Sequence, residues 1–234
     1  MKIVITGGSR GIGYDTAMKL AANPDHEVLV LSRNEERLKA LTEAALAVYG
    51  QARIRIFPFD LTDPDWPGLA VAVRKLGGVD ILINNAGLLI HKPFVELDAE
   101  DWQRLFDVNF FSAVALIRRL LPELRRATRP HILNISSMGG FQGSSKFAGL
   151  TGYSTSKAAL SNLTECLAEE FKDMNIAVNC LALGAVQTEM LNEAFPGMQA
   201  PVQSEDMGDF LAYFATRGHH FFNGKVLPVS VSTP

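Results

Sequence analysis

A glycine-rich turn directly after a short apolar run is the feature that most constrains this chain. Ile3 to Ile5 are typical of a buried strand, and glycines recur at 7, 8, 11 and 13 before an amphipathic helix. Glycine lets the backbone turn tightly and approach a bulky ligand. A helix start also presents free backbone N–H groups, which suit a phosphate. The layout predicts a phosphate-binding turn, although such turns also occur without a nucleotide.

Length and composition restrict the class of protein. The chain has 234 residues, 47% of them hydrophobic and 20% charged, which is typical of a globular protein with one large core. A net charge of -3 argues against a nucleic-acid-binding surface. No apolar run reaches membrane-spanning length, and the first strand begins at the second residue, which leaves no room for a signal peptide. We therefore expect a cytoplasmic protein with no membrane partner.

Strand-like and helix-like segments alternate along the whole chain. After the first strand and helix, the patterns predict strands at 27–31, 53–59, 80–83, 131–136, 177–181 and 225–229. Helices are predicted after Asn34, at 69–76, from 98 to about 126 and at 153–173, with two short helical pieces beyond Gly184. This alternation predicts an α/β fold, a doubly wound parallel sheet (Rossmann-like) with helices on both faces, as a single domain over 1–234.

Five motifs in this order carry a resemblance to a known family. They are Thr6-Gly7-Gly8-Ser9-Arg10-Gly11-Ile12-Gly13, Asp60, Asn84-Asn85-Ala86-Gly87, Asn109, and Ser137 with Tyr153-x3-Lys157. Together they resemble the short-chain dehydrogenases and reductases, from residue 3 to about residue 230. The resemblance implies a nicotinamide-dependent oxidoreductase that interconverts a carbonyl and an alcohol by hydride transfer. It also implies a substrate lid in the region 184–224.

The catalytic candidates are Asn109, Ser137, Tyr153 and Lys157. Tyr153 and Lys157 are four residues apart, so they lie on one face of a helix. A nearby ammonium lowers a phenol pKa, which is the adjustment that proton transfer at neutral pH needs. Ser137 is expected to hold the substrate oxygen, and the resemblance implies that Asn109 positions a water near Lys157.

Among the serines that precede Tyr153, strand alternation favours Ser137. Ser136 shares a strand face with Asn134, whereas Ser137 falls on the opposite face at the strand end, where ligands bind in such sheets. Ser144 and Ser145 are then part of a longer loop.

The cofactor is predicted to be NADP(H) rather than NAD(H). An NAD site uses a carboxylate at the end of the second strand, and this chain has Ser32 there, followed by Arg33, with Arg10 inside the glycine-rich turn. The expected cofactor-binding residues are Gly7, Ser9, Arg10, Gly11, Ile12, Gly13, Ser32, Arg33, Asp60, Leu61, Asn85, Ala86, Gly87, Tyr153, Lys157, Val186 and Thr188.

Other interpretations stand beside these. The Tyr153 and Lys157 pair alone is typical of a surface pair, and the asparagine motif alone is typical of a turn. A non-catalytic nucleotide-sensing or scaffold protein is the alternative function. Two cysteines without C-x-x-C spacing and scattered histidines predict no metal site. Arginines 118, 119, 125, 126 and 129 suit a solvated helix end, or a dock for an acidic carrier protein.

Three features depart from the family pattern. Leu183-Gly184 replaces the usual Pro-Gly, the tail from Val229 to Pro234 is atypical, and the lid segment 189–201 is short and apolar. The substrate is a small-molecule carbonyl or alcohol, with a 3-oxoacyl thioester, a sugar-like ketone and a xenobiotic carbonyl all open. The helices at 101–126 and 153–173 carry more apolar positions than one sheet-facing stripe needs. This excess predicts a homo-oligomer, a dimer or a tetramer.

Overall fold

The computed structural model describes residues 1–51 and 53–231, so the last three residues of the atypical tail lie outside the described part. Its strands are β1 (Lys2–Thr6), β2 (Glu27–Ser32), β3 (Ile54–Pro58), β4 (Ile81–Asn84), β5 (His131–Ser137), β6 (Ala177–Leu183), β7 (Val186–Gln187), β8 (Val202–Gln203) and β9 (Val226–Val229). Its α-helices are α1 (Gly11–Ala21), α2 (Glu35–Tyr49), α3 (Trp66–Leu76), α4 (Ala99–Phe106), α5 (Ser112–Leu124), α6 (Thr151–Glu170), α7 (Glu189–Ala194) and α8 (Ser204–Arg217).

Seven of the strands form one parallel sheet in the order β3-β2-β1-β4-β5-β6-β9. The apolar core lies on both faces, with one cluster around α1, α2 and α8 and a second around α3 and α5. The strand order reverses between β1 and β4, and ligands of such sheets bind beyond the strand ends at this point. The predicted single Rossmann-like domain with helices on both faces is confirmed.

Local signals set several element boundaries as expected. Asn34 caps α2 by accepting a hydrogen bond from the Arg37 N–H at 2.9 Å, and Glu35 and Glu36 occupy the first turn. Asp98 caps α4 in a capping box with Asp101. These caps fix the helices that flank the carboxyl edge of the sheet.

The predicted continuous helix from 98 to about 126 is wrong in one respect. The structure divides it into α4, a π-helical segment Asp107–Phe111 and α5. A π-turn inserts one extra residue into a helix, and the chain is α-helical on both sides of it. The sequence predicts two short helical pieces beyond Gly184: α7 is short, but α8 has 14 residues and packs mainly on α1.

Within the part of the chain that the structure describes, no helix is both long and apolar enough to cross a membrane.

Candidate active site

The glycine-rich turn has the backbone geometry that only glycine supplies without strain. Gly7 and Gly11 have φ angles of 71° and 53°, in the left-handed region. A Cβ on Gly7 would lie 2.7 Å from the Ala86 Cα, so a side chain would push apart the ends of β1 and β4. Because α1 begins at Gly11, its first N–H groups face the space above the turn. The residues therefore fit the diphosphate of a dinucleotide.

A cavity of about 950 Å³ opens above this turn. Every predicted cofactor-binding residue lines it, from Gly7 through Thr188, and so does Ser137. The volume is large enough for a dinucleotide with part of a substrate. Asn109 does not line the cavity and is buried behind its wall, with 1% of its surface exposed.

The end of β2 forms one end of this cavity. The Ser32 hydroxyl donates a hydrogen bond to the Ser9 hydroxyl at 2.8 Å, and Arg33 is exposed beside it. Asp60 follows β3, and its carboxylate accepts a hydrogen bond from the Thr62 N–H at 2.8 Å. This bond lowers the Asp60 pKa, with a smaller contribution from the Arg33 charge. The position that carries an acid in NAD sites is thus a neutral serine with a guanidinium next to it.

The loop after β4 is held to β1 by hydrogen bonds to Thr6. The Thr6 hydroxyl accepts from the N–H groups of Asn85 and Ala86 at 3.1 and 3.0 Å. The Asn85 amide donates to the Thr6 carbonyl at 2.9 Å. Asn85 therefore closes the cleft between the two strands at the switch point. Sequence analysis assigned no role to Thr6, which was quoted only as the first residue of the motif.

Ser137 and Tyr153 both line the cavity, and Tyr153 stands in the first turn of α6. The two side chains are close enough for Ser137 to lower the Tyr153 pKa. Ser136 points away: it is buried, and its hydroxyl donates to the Lys157 carbonyl at 2.8 Å. Ser144 donates to the Phe141 carbonyl within its own loop. The structure thus brings together the serine and the tyrosine that alternation along β5 selected.

Lys157 lies one turn after Tyr153 and is 3% exposed. Its ammonium donates to the Ile135 carbonyl at 2.8 Å. Burial lowers the Lys157 pKa to about 8.

The expected lowering of the Tyr153 pKa by this ammonium is not what the structure has. Burial raises the Tyr153 pKa, and the hydrogen bond with Ser137 offsets only part of that rise. The expectation was wrong because helical spacing predicts proximity, but predicts neither the desolvation of the phenol nor the direction of the ammonium.

Asn109 sits in the π-helical segment and joins two parts of the site. Its amide donates to the Leu88 carbonyl and the Ser156 hydroxyl, each at 2.9 Å. Its carbonyl oxygen accepts from the Leu88 N–H at 2.8 Å. Asn109 therefore fastens the loop after β4 to α6, the helix of Tyr153 and Lys157.

The region after β6 crosses the cavity and carries apolar side chains into it. Met190, Leu191, Phe195 and Met198 line the cavity from this side. The ring of Phe195 packs against His91 with centroids 4.6 Å apart, which joins α7 to the loop after β4. Leu183 continues strand β6 where the family pattern has proline, pairing with Val229 of β9.

Two acids of α7 contact the glycine-rich turn. Arg10 donates to Glu189 at 2.8 Å and to Glu193 at 2.7 Å. Sequence analysis treated Glu189 only as part of the lid and did not connect it to Arg10. No local pattern could show this contact, because the partners are 179 and 183 residues apart in the chain.

Within the described ranges, no three His, Cys, Asp or Glu side chains come together in a way that could hold a metal ion.

Comparison with known proteins places the chain in a family. The family of short chain dehydrogenases matches residues 1–199. An uncharacterised oxidoreductase of Staphylococcus saprophyticus is 30% identical over 219 residues, covering 93% of this chain and 92% of that protein.

Two solved structures share the fold. The L-sorbose reductase of Gluconobacter frateurii, complexed with NADPH and L-sorbose, is 25% identical, with a TM-score of 0.86 over 99% of this chain and 96% of that one. The 3-ketoacyl-(acyl-carrier-protein) reductase of Brucella melitensis, complexed with NADH, has a TM-score of 0.85 at 23% identity and covers 97% of this chain and 95% of that one. The chain belongs to the short-chain dehydrogenase/reductase family of NAD(P)-dependent oxidoreductases.

Proposed function

We propose that this protein is an NADP(H)-dependent oxidoreductase that interconverts a carbonyl and an alcohol, with Tyr153 as the acid-base. The observation that carries the proposal is that Ser137 and Tyr153 stand close together and line the same cavity as the glycine-rich turn. A dinucleotide laid along the turn and a carbonyl at the two hydroxyls would share that cavity. A scaffold protein has no need of this pair.

When bound, the nicotinamide cofactor supplies the hydride, and the chain handles the oxygen and its proton. Two hydroxyls at one point can hold a carbonyl oxygen by donating hydrogen bonds to it. The raised pKa keeps the Tyr153 phenol protonated at neutral pH, so in the reduction direction Tyr153 can give this proton to the oxygen.

Lys157 is a second group near Tyr153 that can exchange protons. Its lowered pKa of about 8 leaves it largely protonated at pH 7 and able to exchange a proton close to neutrality. Lys157 stands one turn after Tyr153 on α6, and both side chains line the cavity.

The preference for NADP(H) rests on the end of β2. Ser32 presents no charge to repel a 2′-phosphate, and Arg33 and Arg10 both line the cavity there. Among structural neighbours, one is described with NADPH and another with NADH, so the assignment depends on this chain's own residues.

The proposed substrate is an aldehyde or ketone carried on an apolar group. Beside charged residues such as Arg104 and Asp107, the cavity lining includes many side chains that favour apolar contact: Leu88, Leu89, Phe147, Leu150, Met190, Phe195 and Met198. A sugar-like ketone would need polar partners for each hydroxyl. Residues 184–224, which contribute part of this wall, form the proposed lid.

We further propose that the protein is a homo-oligomer. Four aromatic rings on α4 and the π-helical segment touch in a chain, with centroids 5.2 to 6.4 Å apart: Trp102, Phe106, Phe110 and Phe111. Phe111 is 50% exposed, and clustered exposed aromatic surface is typical of association sites.

A carbonyl panel tests the catalytic proposal. NADPH or NADH absorbance is followed with matched substrates, an apolar ketone and a polyhydroxylated ketone of equal length. We expect the highest kcat/KM with NADPH and the apolar ketone. Replacing NADPH by NADH, or the apolar ketone by the polyhydroxylated one, should lower kcat/KM. Equal or better use of NADH would contradict the cofactor assignment. A preference for the polyhydroxylated ketone would contradict the substrate class.

A further inference from the structure

Two arginines from distant parts of the fold converge on Glu189. Arg10, from the glycine-rich turn, donates to the Glu189 carboxylate at 2.8 Å, and Arg37, from α2, donates to it at 3.0 Å. The same Nη1 of Arg10 also donates to Glu193 at 2.7 Å. Both glutamates belong to α7, and Glu189 lines the cavity together with Arg10, Ser32 and Arg33.

The ion pairs favour the charged forms of Glu189 and Arg10. Hydrogen bonds from Arg10 and then Arg37 lower the Glu189 pKa. Hydrogen bonds to Glu193 and then Glu189 raise the Arg10 pKa. Arg10 therefore has two carboxylate partners already, and only part of its hydrogen-bonding capacity remains for another anion.

A 2′-phosphate would enter the same neighbourhood. Under the proposed function, its partners are Ser9, Ser32, Arg33 and Arg10, which all line this end of the cavity. The 2′-phosphate would bind the same Arg10 guanidinium that the two carboxylates already bind. The negative charges of the carboxylates would also repel the phosphate.

From this geometry we propose that Glu189 and Glu193 are specificity-determining residues, which compete with the 2′-phosphate for Arg10 and so reduce the preference for NADP(H) over NAD(H). The inference rests on the proposed function in that it takes this end of the cavity as the 2′-phosphate site. On this proposal Arg33 can bind the 2′-phosphate directly, whereas Arg10 must first break its ion pairs with Glu189 and Glu193.

The effect should be moderate. The side chains of Arg10, Glu189 and Glu193 are 37%, 50% and 63% exposed, so solvent screens their attraction. Two exposed ion pairs of intermediate strength together correspond to roughly a three- to tenfold change in an equilibrium constant. Loss of both pairs should therefore change phosphate affinity by roughly three- to tenfold.

The test measures the binding of two cofactor fragments by calorimetry, without turnover. The fragments are 2′,5′-ADP, which carries the 2′-phosphate, and 5′-AMP, which lacks it. The variant is Glu189→Gln with Glu193→Gln, which keeps side-chain size and removes both charges. We expect affinity for 2′,5′-ADP to rise roughly three- to tenfold, while affinity for 5′-AMP stays unchanged.

The matched control is Glu205→Gln. Glu205 also lies in the first turn of a helix and pairs with a lysine, Lys19, at 3.5 Å. The Glu205→Gln substitution should change the affinity for neither 2′,5′-ADP nor 5′-AMP. A further Arg10→Gln change in the double variant should abolish the gain, because the freed guanidinium is its source. Thermal unfolding of each variant checks that the fold is retained.

The outcomes separate this inference from the proposed function. If the double variant shows the same or a lower affinity for 2′,5′-ADP than the wild type, the competition is disproved. A lower affinity would mean that the two glutamates orient Arg10 for phosphate binding. If the wild type binds both fragments equally while the double variant prefers 2′,5′-ADP, the NADP(H) preference fails and the competition stands.

Discussion

At the scale of single residues, the site contains a buried lysine whose charged form lowers the stability of the folded protein. Lys157 is nearly fully buried, and its ammonium donates a hydrogen bond to the backbone carbonyl of Ile135 in β5. Its pKa falls from 10.5 to about 8, which corresponds to roughly 3 kcal/mol against the charged form. Function, rather than stability, explains a charge in this position.

Replacement of this lysine should stabilise the protein. We predict that Lys157→Met raises the free energy of unfolding at pH 7 by about 1–2 kcal/mol, since the lost hydrogen bond offsets part of the gain. Between pH 8 and 10.5 the unfolded lysine holds its proton while the folded one has lost it, so wild-type stability rises with pH there and the advantage shrinks.

Urea unfolding at several pH values measures this difference, with the exposed Lys75→Met as the control that should show no such trend. A Lys157→Met variant that is less stable than the wild type at pH 7 would contradict the burial argument.

Some residue assignments followed from sequence, and others could not. Alternation along β5 separates Ser136 from Ser137, because a period of two fixes the face of each side chain. The direction of the Lys157 ammonium depends on which carbonyl lies nearby, and the partners of Arg10 lie on a helix far along the chain. Local spacing holds no information on such contacts.

At the scale of elements, the π-helical segment positions Asn109. The extra residue of the π-turn places the Asn109 amide against the Leu88 backbone and Ser156, where three hydrogen bonds join the loop after β4 to α6. Apolar periodicity missed the segment because apolar residues occur on both sides of the insertion, and their pattern does not show which turn holds the extra residue. Strand order and the main helices, by contrast, follow from patterns that repeat many times.

Loss of this amide should harm both stability and catalysis. We predict that Asn109→Ala costs about 2–4 kcal/mol of unfolding free energy, because it leaves the Leu88 N–H and C=O groups without their side-chain partner. Turnover should fall further than the unfolded fraction explains, since the loop carrying Asn85 to Gly87 loosens.

Chemical denaturation and steady-state kinetics at a temperature where the variant is folded measure the two effects. Gln103→Ala, which removes a single exposed contact to Asp107, is the control and should change neither value by much. Unchanged stability in Asn109→Ala would show that the three bonds do not hold the loop.

At the scale of the whole molecule, exposed aromatic surface predicts assembly. We expect micromolar protein to be a dimer or a tetramer, and Phe111→Glu to shift it toward monomer because a charge would be buried in the contact. Leu46→Glu, a change at an equally exposed apolar residue of α2, is the control. Light scattering that shows a wild-type monomer would contradict the proposal.

The account as a whole depends on Tyr153 transferring a proton, and Tyr153→Phe tests this most directly. The measurement is NADPH consumption with a carbonyl substrate, together with NADPH affinity, for the wild type and the variant. We predict a loss in kcat of about a hundred- to ten-thousand-fold, the usual contribution of general acid-base catalysis, with NADPH affinity nearly unchanged. A loss of less than about tenfold, with the cofactor still bound, would contradict the role of Tyr153.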